Sequence, residues 1–82
     1  MLITDTGSFG AAIRGRRKEL GYTQAYISEI SGFSVSFLSD LENGKETAEL
    51  GRALRLAQLL GMDCHLEARG AYRQGPGRRE ET

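Results

Sequence analysis

The 82-residue sequence holds no tryptophan, one cysteine, one proline and one histidine, and its net charge is zero. Each scarcity excludes something. One cysteine, Cys64, cannot build an intrachain disulfide framework. The apolar runs all fall far short of the roughly 20 residues that a membrane helix needs. The opening MLITDTGSFG has neither the basic region nor the long apolar region of a signal peptide. These absences point to the cytoplasm. Cys64 and His65 are neighbours, so on an extended segment they face opposite ways and make no nucleophile–base pair. Two such residues are also too few for a metal site. There is no glycine loop of the phosphate-binding kind. No enzyme activity, metal or cofactor is therefore expected. Zero net charge also counts against a general nucleic-acid binder, which is usually basic.

What is present is a mainly helical pattern. Residues 1–7 read as a short arm, and Ser8 as the cap of a first helix. Phe9, Ala12, Ile13, Arg16 or Arg17, and Leu20 follow at helical spacing, and Gly21 suits the helix end. Gly10 and Gly15 weaken this helix, so packing must hold it. Thr23 caps a second helix with Ala25, Ile27, Ser28 and Ile30, and Gly32 stops it. Ser34 caps a third, with Leu38 and Leu41 turned inward, and Asn43-Gly44 end it. A fourth helix is expected from near Thr47 to Leu60, with Leu50, Leu54, Ala57 and Leu60 as its inner stripe and Leu56 and Leu59 as a second flank. Gly61 ends it.

The period then changes. Met62, Cys64, Leu66 and Ala68 alternate with Asp63, His65 and Glu67, the signature of a strand with one buried face. On this reading Cys64 is a small buried apolar residue and His65 lies at the surface. Residues 70–82, rich in glycine, arginine and glutamate, read as a disordered tail. The resulting division is an arm (1–7), a helical domain (8–61), a strand (62–69) and a tail (70–82).

The second and third helices form a helix-turn-helix, which sets one helix in the major groove of DNA. Two steeply crossing helices need a small residue at their contact, a strain-free turn and an inward aliphatic residue. Ser28, Gly32 and Leu38 supply these in order. Gln24 at the start of the second helix can reach a phosphate, and N–H groups at a helix start favour an anion. Lys45 after the third helix suits another. Arg14, Arg16, Arg17 and Lys18 crowd the first helix, as a basic patch or as a solvated face.

With those residues in place, Phe9 to Gly61 resembles the Xre/Cro family of phage-repressor-type DNA-binding domains. The matching residues are Ile13-Arg14-x-x-Arg17-x-x-Leu20-Gly21, Thr23-Gln24, Gly32 and Leu38-x-x-Leu41-Glu42-Asn43-Gly44-Lys45. The resemblance implies a four-helix domain that binds double-stranded operator DNA as a homodimer. A strand stands where the family's final helix would be, which resembles the HipB-type antitoxin branch. That branch implies a transcriptional repressor, acting on its own operon, with a cognate kinase-like toxin as partner. By the same resemblance, Val35, Ser36, Ser39 and Asp40 face the bases. Thr23, Gln24, Ser34, Asn43 and Lys45, with Arg14 and Arg16, serve the DNA backbone. Arg17 and Glu42 form a partly buried structural ion pair.

The base-facing set is unusual. It lacks the glutamine or arginine that would make two-pronged bonds to adenine or guanine. Val35 offers apolar contact, Ser36 and Ser39 discriminate little, and Asp40 accepts from cytosine but is repelled by phosphates. Phe37 reads as core packing ahead of a wedge into DNA. Direct readout is thin, so specificity is expected to lean on DNA shape, on the residues around Arg14 and Arg16, or on tandem dimers. A lone strand is unstable, and Leu2-Ile3-Thr4 is the one weak partner for it in the chain. Pairing with the same strand of a second copy is favoured, with Met62, Cys64, Leu66 and Ala68 inward. It would also space two third helices about 34 Å apart, one turn of the duplex. A helix-turn-helix reused as a protein-interaction adaptor, and a prophage or housekeeping regulator without a toxin, are the alternatives.

Overall fold

The computed structural model describes residues 2–69. The expected tail, 70–82, lies outside the described residues. Four helices follow one another: α1 (Thr6–Glu19), α2 (Gln24–Ser31), α3 (Val35–Glu42) and α4 (Leu50–Leu59). Their core joins Ile13, Ile27, Phe33, Leu38, Leu41, Ala53, Leu56, Ala57 and Leu60. Among the described residues, no helix is long and apolar enough to cross a membrane.

Local chemistry sets the helix ends. Asp5, rather than Ser8, caps α1: its carboxylate accepts the Ser8 N–H at 2.7 Å, and the Ser8 hydroxyl accepts the Asp5 N–H at 3.1 Å. Ser8 is thus the return arm of a capping box, in the position usually held by Glu or Gln. The Ser8 backbone bond also holds the Asp5 carboxyl below the usual carboxylate range. Thr23 and Ser34 cap α2 and α3 as expected, accepting from the N–H groups of Tyr26 and Phe37. Three helices end on a left-handed glycine (Gly21, Gly44 and Gly61) in Schellman motifs. In these, the N–H groups of Tyr22, Lys45 and Met62 return to the carbonyls of Arg17, Asp40 and Ala57.

Helix α4 departs from expectation. It starts at Leu50 rather than near Thr47, with Glu49 as a cap that makes no side-chain bond. Its inward face is Ala53, Leu56, Ala57 and Leu60, while Leu50 and Leu54 are exposed. The expected stripe weighted leucine above alanine. Ala57 and Leu60 turn inward as expected, small Ala53 joins them, and Leu50 and Leu54 of the expected inner stripe turn out. Leu56 moves from flank to core, and Leu59 stays exposed.

Residues 62–69 carry neither helix nor strand in the single chain. No backbone hydrogen bond joins them to residues 2–4 among the described residues, so the intrachain pairing does not form. Met62 is half-buried against the core, but Cys64 is exposed rather than buried. The physical reason is plain: the single chain has no second layer to cover that segment. His65 is exposed, as expected.

Two features fasten α1 to α3. The first is Gly10, whose missing side chain lets the two helices touch. A Cβ there would meet the backbone carbonyl oxygens of Leu41 and Glu42, the latter at 2.8 Å. Thr6 closes the same contact by donating its hydroxyl to the Gly44 carbonyl at 2.8 Å. The second is the expected ion pair. Arg17 Nε and Nη2 meet Glu42 Oε2 and Oε1 at 2.7 and 2.9 Å, with both residues over 90% buried. Gln24 Nε2 donates to Glu42 Oε1 at 3.1 Å, and Arg17 Nη1 donates to the Tyr22 carbonyl at 2.8 Å. One carboxylate thereby joins α1, α2 and α3. Burial is the largest single influence on Glu42 and pushes its pKa up. The bonds from Arg17 and Gln24, together with the charges of Arg17 and Arg14, outweigh it and leave the carboxyl below its ordinary value. The bond to Glu42 raises Arg17 in turn.

Gly10→Ala should destabilise the fold by about 1–3 kcal/mol, the usual cost of overpacking. Gly15→Ala, where an added Cβ meets nothing within 4 Å, should stabilise it by up to about 1 kcal/mol. Thermal melts of the two variants should therefore move in opposite directions. For the ion pair, Glu42→Gln should cost about 3–5 kcal/mol by stranding a buried guanidinium. The folded pKa of Glu42 lies below its unfolded value, so its stabilisation is complete above the unfolded pKa. It fades as pH falls through the folded pKa. Denaturant midpoints taken from neutral pH into acid should show that decline in the native chain and a smaller one in the Arg17→Met, Glu42→Gln double variant.

Candidate nucleic-acid interface

The turn between α2 and α3 is built by three adjacent residues. Ser31 donates its hydroxyl to the Ile27 carbonyl at 2.6 Å and accepts the Phe33 N–H at 3.0 Å. Gly32 between them takes φ +81°, with open space around its missing Cβ. The turn needs the backbone freedom of glycine there rather than its small size. Phe33 then drops into the core, and Ser34 starts α3.

Helix α3 is divided by this seating. Leu38, Leu41 and Glu42 are buried; Val35 and Ser36 are exposed; Ser39 and Asp40 lie between. The four expected base-facing residues therefore share the side away from the core. Phe37 packs against the core, with its ring 5.1 Å from that of Phe33. That agrees with its reading as packing.

The expected backbone-contact residues separate into engaged and available groups. Thr23 and Ser34 already bond to the N–H groups they cap. Gln24 directs its amide to Glu42, so it braces α3 from α2. Arg16 donates Nε to the Leu60 carbonyl at 2.9 Å and pairs with Glu19 at 3.1 Å, which ties α1 to the end of α4. Asn43 lies 3.5 Å from the Ser39 hydroxyl, at the limit of a bond. Arg14 is exposed.

Lys45 is less free than its sequence position suggests. Its Nζ pairs with Asp40 Oδ2 at 3.3 Å. These two residues are also the ends of the Schellman bond that closes α3. Apolar side chains commonly touch at those two positions; here a carboxylate and an ammonium meet instead. The carboxyl end of the α3 outer face is close to neutral as a result.

Sequence reasoning missed the basic residues of α4. Arg52 lies over the Phe37 ring at 5.9 Å, and Arg55 over the Phe33 ring at 5.2 Å. The available signal was one spacing, Arg52/Arg55 at i,i+3, which places the pair on one helical side. It also missed Gly10 as a contact point, because a glycine inside a helix reads first as a weakness.

With this geometry established, the comparisons with known proteins become specific. The helix-turn-helix family profile matches residues 13–65. An uncharacterised helix-turn-helix-type transcriptional regulator of Sinorhizobium fredii, y4mF, is 35% identical over 88% of this chain and 95% of its own length. The 10 kDa protein of the ImmF control region of Bacillus phage phi105 is 32% identical over 76% of this chain and 69% of its own. Among solved structures, a complex of a HipB variant with an O2 20mer has a similar fold. Its TM-score is 0.76 at 22% identity, over 83% of this chain and 94% of that one. The HipB–O4 20mer complex gives 0.75 at 20% identity, over 83% and 96%. The chain belongs to the helix-turn-helix family, among its Xre/Cro-type members.

Proposed function

We propose that the chain is a sequence-specific DNA-binding repressor that acts as a homodimer and controls its own operon as the antitoxin of a toxin–antitoxin pair. The observation that carries the DNA-binding half is the division of α3. Its inner face is buried and fixed by Glu42, and its outer face presents Val35, Ser36, Ser39 and Asp40 without a covering element among the described residues. Family membership and the fold likeness to HipB in complex with 20mers support it. Val35 would touch a thymine methyl, Ser36 and Ser39 would bond to base edges, and Asp40 would accept from a cytosine amino group. Asn43 and Arg14 would approach phosphates, as would Lys45 once it leaves Asp40.

The dimer is proposed through residues 62–69. The alternation of Met62, Cys64, Leu66 and Ala68 supports it, as does the full exposure of Leu66, at 103%. An extended apolar face of that kind is stabilised by pairing with a second copy. The antitoxin role rests on the HipB-like fold and on this terminal segment. A kinase-like reading frame beside the gene, whose product the chain neutralises, separates an antitoxin from a prophage or housekeeping regulator. The phi105 relative favours the phage alternative. An adaptor role is favoured by the zero net charge and the Asp40–Lys45 pair.

A duplex spanning the region upstream of the gene decides between DNA binding and adaptor. Affinity should fall by about a hundredfold or more between low and moderate salt, as expected when several phosphates are contacted. Ser36→Glu should abolish this binding with little change in melting temperature. No binding to that duplex at low salt would sink the repressor reading. Leu66→Asp should convert the dimer to a folded monomer in sedimentation velocity. An unchanged sedimentation coefficient would place the dimer contact elsewhere.

A further inference from the structure

Helix α4 carries two arginines whose placement the core does not explain. Arg52 and Arg55 are exposed and three residues apart, so they project from one side of the helix. Each lies over an aromatic ring: Arg52 over Phe37 of α3, Arg55 over Phe33 of the turn before it. The two rings pack together at 5.1 Å. The four side chains thus form one continuous assembly beside Ser34–Phe37, the first turn of α3.

The electrostatics of that corner are one-sided. Among the described residues, Arg55 has no carboxylate within ion-pair distance. Arg52 has only Glu49, at 3.1 Å on an exposed turn, a contact of small net worth. Stacking on a ring consumes none of the five N–H donors of a guanidinium. The ring holds the group in place and leaves Arg55 able to bond elsewhere. The unpaired N–H groups at the start of α3 add partial positive charge to the same corner. At the other end of α3, the single cation Lys45 faces Asp40 across a similar exposed contact at 3.3 Å.

We propose that Arg52 and Arg55 form a phosphate clamp that holds the DNA backbone against the amino end of α3, a role that rests on the DNA-binding reading above. The ligand is the phosphodiester backbone of duplex DNA. The clamp is independent of sequence and sets how deeply α3 enters the groove. It supplies the affinity that Val35, Ser36 and Ser39 do not, and it places the basic contact region of a neutral chain on α4. Both arginines are positioning residues, because they touch phosphate rather than base edges.

The test uses the full chain and two duplexes of equal length, one from the region upstream of the gene and one with the same bases scrambled. Binding is followed by fluorescence anisotropy across a salt series. Arg52→Met and Arg55→Met keep an unbranched stem on the ring while removing the charge. Each should weaken binding to both duplexes by a similar factor. Each should also flatten the slope of log affinity against log salt by about 1.8 for the bound dimer, one phosphate contact of about 0.9 lost from each subunit. The double variant should flatten it by about twice that, and Arg55→Lys should retain the native slope. A merely structural role for the stacks would alter melting temperature and leave the slope alone. Unchanged slopes in folded variants overturn the clamp while DNA binding stands. Weakening confined to the upstream duplex overturns it in favour of a base contact. A native chain that binds neither duplex at low salt overturns the DNA-binding reading, and the clamp with it.

Discussion

The architecture depends on one buried carboxylate. Glu42 is the last residue of α3, and it accepts from Arg17 of α1 and Gln24 of α2. Three helices therefore meet at one group that must stay ionised in a dry environment. Removing such a charge from water is costly, and two directed donors from Arg17 offset that cost only when the helices are correctly aligned. The same bonds that keep Glu42 charged fix the end of α3. Gly10 and Thr6 then secure the adjacent backbone, so the carboxyl end of this short helix is held by α1 on two sides.

This arrangement accounts for the distribution of charge. Zero net charge looks unfavourable for a DNA-binding chain only if all charges act alike. Arg17 is buried in the scaffold, Arg16 is bound to the end of α4, and Lys45 is paired with Asp40. Few of the cations that the sequence places near the interface are thus unengaged. Among the described residues, Arg14 and Lys18 on α1 and Arg55 on α4 are exposed with no carboxylate in ion-pair distance, and Arg52 meets only Glu49 at the surface.

Much of the scaffold was legible in the sequence because its signals are local. Thr23, Ser34, Gly21, Gly32, Gly44 and Gly61 act within a turn of the chain, and the helices begin or end at them. The Arg17–Glu42 pair was legible by resemblance. What was not legible depends on distance in space. The inward choice of Ala53 over Leu50 and Leu54 is made by the neighbouring helices, which composition does not describe. Gly10 acts on carbonyls some thirty residues away in sequence. Ser8 gave a correct signal of a helix start, but Asp5 three residues earlier was the cap. Cys64 was read as buried on the strength of an alternation whose covering layer is not part of the single chain.

The contact at Gly10 has a further consequence. It leaves no room for a side chain, so α3 rests backbone to backbone on α1, and that contact does not involve its outward residues. Ser36 makes no side-chain hydrogen bond among the described residues, and Val35 contributes nothing to the buried core. The outer face can therefore be exchanged while the seat is unchanged. In evolutionary terms, the chain separates the residues that must be kept from those that can drift. A new DNA address would require substitutions on the outer face of α3 and no redesign of the fold.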